Sequence, residues 1–147
     1  MALQTIICAF DFSEPASSAL RWAHALADAL HARLELVHVH PDIYDGRGEA
    51  ALGLPVPSAG QEERYLRFLE QEVLQAARTV TAQPELNVRV HILRGDPVKR
   101  LLACADEQRA DMVVVGATGK GRVQRVMLGS VSESLLRSSK VPVTIVH

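Results

Sequence analysis

The chain has 147 residues, the size of one ordinary domain, of which 48% are apolar and 22% are charged. This composition excludes a disordered or fibrous protein, and the chain can bury a hydrophobic core without metals or disulfides. Its 16 basic and 17 acidic residues give a net charge of -1, which supplies no overall attraction for nucleic acid or anionic lipid. We therefore expect no nucleic-acid partner, and any anionic ligand must be bound by local groups.

The first predicted elements are a buried strand and an amphipathic helix. Residues 3–10 form a short apolar run that ends at the polar Asp11, which is typical of a buried strand. Ser13 can cap the helix that follows, and Pro15 is tolerated in its first turn. The apolar period continues to residues 29–31, where we expect the helix to end.

A second strand and a long helix flank the least regular part of the chain. Residues 34–39 are short and β-branched and are stopped by Pro41, which favours a strand. The glycine- and proline-rich segment after it predicts a mobile surface loop over about residues 41–60. Residues 61–81 then carry the clearest helical period in the sequence, so we expect the second helix there.

The third strand and helix follow a change of pattern. Residues 88–92 alternate apolar with polar side chains, which predicts a peripheral strand. Asp96 is a helix cap followed by Pro97 at the first helical position, and the third helix should run to about Arg109.

The last part of the chain predicts a central strand, a helix and an edge strand. Residues 111–116 are a short, strongly β-branched run with three consecutive valines, continuous enough for a central strand buried on both faces. Residues 130–138 look helical, and residues 141–146 form a final strand whose Pro142 argues for the edge of the sheet. The alternation as a whole predicts an α/β fold, with a parallel sheet and helices on both of its faces.

Outside these elements the sequence predicts few special sites. The two cysteines, Cys8 and Cys104, lack the paired spacing of a metal site or redox motif, and we expect both in the core. The N-terminus has no secretion-signal pattern and no apolar run approaches the ~18 residues of a membrane span. We therefore expect a cytoplasmic protein that does not insert into membranes.

Ligands of such sheets bind beyond the carboxyl ends of the strands, where the strand order reverses. The segment that follows the central strand, residues 116–130, has the composition of a phosphate site. Gly116 and Gly119 would let backbone N–H groups approach an anion, and Ser130 opens a helix with its positive end toward the loop. The basic Lys120 and Arg122 add local charge, and the alternative is a glycine-rich surface loop with solvated basic residues.

Two familiar phosphate motifs fail in this segment. Gly116 and Gly121 have the Walker spacing, but Arg122 follows where Lys and then Ser or Thr are required. The dinucleotide pattern of three glycines is absent after the first strand. The segment is therefore neither a P-loop nor a Rossmann fingerprint.

The glycine spacing resembles that of a known family. Gly116-x2-Gly119-x9-Gly129-Ser130, directly after a valine-rich strand, is similar to the ATP-binding motif of the universal stress proteins. Residues 6–14, 36–39, 95–97 and 141–146 match the family's other landmarks in order. The resemblance implies one domain over residues 1–147, an adenine-nucleotide alpha-hydrolase-like fold whose open sheet of five parallel strands has the order 3-2-1-4-5.

The resemblance also implies the ligand and the residues that hold it. Asp11 would meet the ribose or the metal-bound phosphate end, Val39 would offer backbone groups to adenine, and Lys120 and Arg122 are candidates for the phosphate end. The ligand would be ATP, or AMP or ADP. Asp11 would be a weak ligand of Mg²⁺ that arrives bound to ATP. The full set of implied ATP-binding residues is Ala9, Phe10, Asp11, Val39, Val115, Gly116, Gly119, Gly129, Ser130, Val131 and Ser132.

The chain departs from the family pattern at a few positions. Ala117 and Thr118 stand where many members have Ser and His, and Lys120 replaces a common arginine. Phe12 stands where many members have glycine. His38 and His40, two apart in a strand, could be metal ligands, although a packed pair is the more frequent arrangement.

Three functions remain open at this point. The resemblance favours an ATP-binding, stress-response regulatory module that senses nucleotide as a homodimer through the strand at residues 141–146, with an unknown protein effector. A slow Mg²⁺-dependent ATPase is an alternative, with Asp11 on the metal, but no general base or water-positioning group is evident. A dimeric scaffold that binds no nucleotide is the third.

Overall fold

The computed structural model describes residues 2–40, 58–118 and 127–147, which contain five strands and four helices in alternation. The strands are β1 (Thr5–Ala9), β2 (Arg33–His40), β3 (Arg89–Arg94), β4 (Met112–Gly116) and β5 (Val143–Val146). The helices are α1 (Glu14–Leu30), α2 (Ala59–Thr81), α3 (Pro97–Glu107) and α4 (Ser130–Ser138).

The strands form one parallel sheet in the order β3-β2-β1-β4-β5. This confirms the predicted fold class and strand order, with β3 and β5 at the two edges. It also places the reversal of strand order between β1 and β4. Because parallel strands all end at the same side of a sheet, the carboxyl ends of β1, β2 and β4 lie next to one another.

Each face of the sheet buries its own hydrophobic cluster. On one face Ile6 and Leu36 pack beneath α1 and α2, and on the other Ile7 and Val37 pack beneath α3 and α4. The split follows from strand geometry, since successive side chains point to opposite faces. Fully burying one such side chain stabilises the fold by roughly 1.5–3 kcal/mol.

Both cysteines are core residues, as predicted. Cys8 lies beneath α1 and Cys104 on the inner face of α3, each buried and unpaired by disulfide. Burial raises the pKa of the Cys8 thiol to about 12 and that of Cys104 to about 11. The thiolate, the reactive form, is therefore suppressed at both positions.

The predicted helix boundaries agree with the structure to within two residues, and the start of α2 shows the cause of one of the differences. This helix begins at Ala59, two residues before the predicted start, because Ser58 caps it: the Ser58 N–H donates to Gln61 Oε1 at 2.8 Å. Residues 59 and 60 are thus helical and not loop, whereas residues 41–57 of the predicted loop lie outside the described residues. In the described part of the chain, no helix is long and apolar enough to span a membrane.

Candidate functional site

A cleft of about 220 Å³ opens at the carboxyl ends of β1, β2 and β4, beside the N-termini of α3 and α4. Ten of the eleven residues predicted to bind ATP line it: Ala9, Phe10, Asp11, Val39, Val115, Gly116, Gly129, Ser130, Val131 and Ser132. The eleventh, Gly119, lies outside the described residues together with Lys120 and Arg122. Residues from three separate parts of the chain thus meet at one cleft.

Five further residues line the cleft that sequence reasoning did not select. Val37 precedes Val39 by two positions on β2 and therefore shares its face, which the strand period could have shown. Pro97 and Leu101 lie one turn apart on α3, where the helical period gave a similar signal. Ala16 and Thr118 complete the lining; Thr118 lies within the predicted phosphate segment 116–130, whereas no pattern in the sequence marks Ala16 as a cleft residue.

The cleft has an apolar part and a polar part. Val37, Val39 and Leu101 supply the apolar surface, from the sheet on one side and α3 on the other. Asp11, together with the start of α4 at Ser130, supplies the polar surface. Pockets for small organic ligands commonly combine apolar walls with a few well-placed polar groups.

Three helices begin around the cleft, and their N-termini are capped differently. In α1 the Ser13 side chain accepts a hydrogen bond from the Ala16 N–H, and in α3 the Asp96 side chain accepts from the Lys99 N–H at 2.9 Å. The N-cap of α4 is Gly129, which has no side chain to accept from the first turn. The amides that open α4 are therefore the ones most suited to receive an anion, which the helix dipole also favours.

Two hydrogen bonds tie the start of α4 to the end of β4. The Gly129 N–H donates to the Ala117 carbonyl at 2.7 Å, and the Ser132 hydroxyl donates to the Gly116 carbonyl at 2.7 Å. Ser132 is only 4% exposed, so its hydroxyl acts within the protein. Ser132 thus positions the helix start, which the glycine spacing alone did not predict.

Gly116 is required for close packing between β4 and α1. A Cβ atom at this position would lie 2.6 Å from the Pro15 carbonyl carbon and 2.8 Å from the Pro15 Cβ. Such contacts are far inside the normal separation of about 3.5–4.0 Å. The sequence interpretation assigned this glycine to the approach of an anion, which stays a prediction. The structure adds a second requirement, the close approach of Pro15.

Asp11 is held in a turn that leads from β1 into α1. Its Oδ1 accepts hydrogen bonds from both the N–H, at 3.0 Å, and the hydroxyl of Ser13. The bond from the Ser13 N–H to the side chain of Asp11, two residues earlier, forms an Asx turn, which aspartate favours. The helix cap itself is Ser13, as predicted, and Asp11 supports this cap while lining the cleft.

Phe12 occupies the left-handed backbone region, with φ of 65°. For a residue with a bulky side chain this conformation costs roughly 1–2 kcal/mol, which explains why glycine suits the position. The Phe12 ring packs edge-on against Phe10 at 5.1 Å and against His38 at 5.2 Å between ring centroids. Aromatic pairs contribute about 0.5–1.5 kcal/mol each, enough to offset the backbone cost.

The two histidines of β2 are buried and packed. The His38 Nδ1 lies 2.8 Å from the Phe10 carbonyl oxygen, and the His40 ring packs edge-on against Tyr65. Both side chains are below 10% exposure. Across the described ranges there is no group of three or more His, Cys, Asp or Glu residues that could hold a metal ion.

Comparisons with known proteins agree with this architecture. The model of the universal stress protein family matches residues 2–147. A universal stress protein of Thermus aquaticus is 32% identical over 146 residues, covering 98% of each chain.

Solved structures give the same result. The structure of the hypothetical protein MJ0577 superposes with a TM-score of 0.75 at 22% identity, over 99% of this chain and 96% of the other. A universal stress protein in complex with cAMP has a TM-score of 0.67 at 26% identity, over 100% of this chain and 98% of the other. The chain belongs to the universal stress protein family.

Proposed function

We propose that this protein binds an adenine nucleotide in the cleft and acts as a stress-response regulatory module. The observation that carries the proposal is the differential capping around the cleft: α1 and α3 have side-chain caps, whereas α4 starts at Gly129. A cleft with apolar walls and one such helix start suits a ligand with an aromatic base and a phosphate. The family relative in complex with cAMP supports the same ligand class.

The two parts of the cleft suggest how the nucleotide lies. The base would pack between Val37 and Leu101, with backbone groups of Val39 available to its edge. The phosphates would meet the amides of Ser130 and Val131. Asp11, on the polar side of the cleft, would accept hydrogen bonds from the ribose hydroxyls.

The candidate ligands are ATP, ADP and AMP. Mg²⁺ would bind only together with the phosphates of the nucleotide. Asp11 is the only carboxylate among the described residues of the cleft, and its Oδ1 is engaged by Ser13. Mg²⁺ is usually held by one or two carboxylates together with substrate phosphates and water. Asp11 fits that limited role, and Lys120 and Arg122 remain candidates for the phosphate end.

We also propose that the module is a homodimer through the β5 edge. Val143 and Ile145 are only partly buried at this edge, and Pro142 does not block it. The Pro142 carbonyl accepts from the Val113 N–H at 3.0 Å, so Pro142 turns its backbone toward β4. Because backbone groups alternate along a strand, the N–H groups of Val143 and Ile145 point outward and can pair with a second copy.

Sedimentation of wild type and of Ile145→Pro tests the dimer. Proline removes one outward N–H and is tolerated on an edge strand, so we expect a dimeric wild type and a weakened dimer in the variant. Ile145→Val is the matched control and should remain dimeric. A monomeric wild type at assay concentrations would refute this part of the proposal.

Calorimetric titration with AMP, ATP and adenosine tests nucleotide binding. Ser130→Pro removes the first amide of α4 at the helical position that best accepts proline. Because a hydrogen bond to a charged group contributes about 1.5–3 kcal/mol, the variant should bind AMP roughly 10- to 100-fold more weakly. Adenosine, which lacks the phosphate, should bind both proteins equally.

Ser130→Ala is the matched control, because it removes the hydroxyl and keeps the amide. We expect it to bind AMP nearly as well as wild type does. Equal loss in the alanine and proline variants would assign the phosphate to the side chain and contradict our placement. Absence of any nucleotide binding to wild type would favour the scaffold function instead.

A further inference from the structure

His38 lies outside the cleft, yet it contacts the turn that carries Asp11 into the cleft. The regular ladder between β1 and β2 ends at the pair Ala9 and Val37, and the Phe10 N–H then donates to the Val37 carbonyl at 2.9 Å. At this point β1 leaves the sheet. The next polar group of the chain, the Phe10 carbonyl, is held by His38 Nδ1 at 2.8 Å.

The chemistry of this contact shows which ring nitrogen of His38 carries a proton. A carbonyl oxygen can only accept, so Nδ1 carries the proton and donates it to Phe10. His38 is 9% exposed, which shields the bond from competing water. The His38 side chain therefore continues the backbone ladder by one bond, at the point where the strand becomes the turn.

The same imidazole also supports the other end of the turn. Its ring packs edge-on against Phe12, whose left-handed backbone follows Asp11 directly. His38 thus contacts the residue before Asp11 and the residue after it, through a hydrogen bond and a ring contact respectively. Asp11 itself lines the cleft, whereas His38 points to the face of β2 opposite to that of the cleft residues Val37 and Val39.

We propose that His38 is a positioning residue for nucleotide binding, which sets the Asp11 carboxylate toward the ribose by fixing the Phe10 to Phe12 turn from behind. The inference rests on the proposed function of the cleft. The His38 imidazole and the Phe12 ring together restrain this turn. The ligand group affected is the ribose, and neither the base nor the phosphate.

A double-mutant cycle between His38 and Asp11 tests the proposal, with adenosine and adenine as ligands. His38→Ala should weaken adenosine binding about tenfold, the order expected when a hydrogen bond to a carboxylate is lost, and leave adenine binding unchanged. In an Asp11→Asn background the same substitution should have little further effect on adenosine. Residues that do not act together would instead give additive losses.

His38→Asn is the conservative control, because the Asn amide N–H can reach the carbonyl that Nδ1–H reaches. It should restore most of the adenosine affinity lost in His38→Ala, whereas His38→Leu should not. Circular dichroism at the titration temperature checks that each variant is folded.

The outcomes separate this inference from the proposed function. If wild type binds neither adenosine nor AMP, the function of the cleft is wrong. If wild type binds both and His38→Ala binds adenosine as wild type does, the positioning role is wrong. Equal weakening for adenosine and adenine, or additive losses in the double mutant, would also overturn it.

Discussion

Replacing Gly116 by alanine tests whether this glycine is required for packing between β4 and α1. The added Cβ would meet three atoms of Pro15 at 2.6 to 2.8 Å, two of them in the backbone. Backbone cannot rotate away as a side-chain tip can, so β4 or the start of α1 must shift. Overpacking of this kind typically costs 1–3 kcal/mol, occasionally more, and we expect about 3 kcal/mol here.

Urea denaturation followed by circular dichroism measures the free energy of unfolding, and thermal melts provide a second reading. For a chain of about this length a loss of 1 kcal/mol lowers Tm by roughly 2–4 °C, so Gly116→Ala should melt several degrees below wild type. Gly60→Ala is the matched control, since nothing lies within 4 Å of its Cβ and alanine suits a helix. It should unfold at or above the wild-type midpoint. If Gly116→Ala is as stable as wild type, the packing role is wrong.

Two further stability predictions concern single hydrogen-bonding side chains. Ser132→Ala removes the bond to the Gly116 carbonyl and should lower the free energy of unfolding by about 1 kcal/mol in urea, and an unchanged midpoint would contradict this. Asp111 accepts from the N–H groups of Gln4 and Thr5 at 2.7 and 2.9 Å, which lowers the pKa of its carboxyl. Its stabilising effect is therefore fully present above the unfolded pKa of about 4 and is lost as the pH falls through the lower folded pKa. The Tm gap between wild type and Asp111→Asn should be open at pH 7 and close in strong acid; a gap independent of pH would refute the assignment.

The strand order and the residues at the cleft were within reach of the sequence. Strands and helices are predicted from the period of their apolar residues and from capping residues such as Ser13 and Asp96, which are local signals. The glycine and serine spacing begins with Gly116 at the end of a strand and ends with Ser130 at the start of a helix. A family resemblance built on such spacing therefore carried over to the topology.

Other features depend on contacts between distant segments and had no local signal. The need for glycine at position 116 comes from Pro15, 101 residues earlier in the chain. One ring that packs against Phe12, whose backbone is left-handed, belongs to His38 on another strand. Likewise Pro142 indicates an edge strand correctly, but only its bond with Val113 shows which side of the strand its backbone faces.

The central claim is that the amides opening α4 receive the phosphate of an adenine nucleotide. Titration of ¹⁵N-labelled protein with AMP and, separately, with adenosine tests it by nuclear magnetic resonance. We expect AMP to shift the amide resonances of Ser130 and Val131 and adenosine to leave them nearly unmoved, whereas both ligands should shift those of Val37 and Val39. Shifts of Ser130 and Val131 that are equal for the two ligands, or absent with AMP, would contradict it.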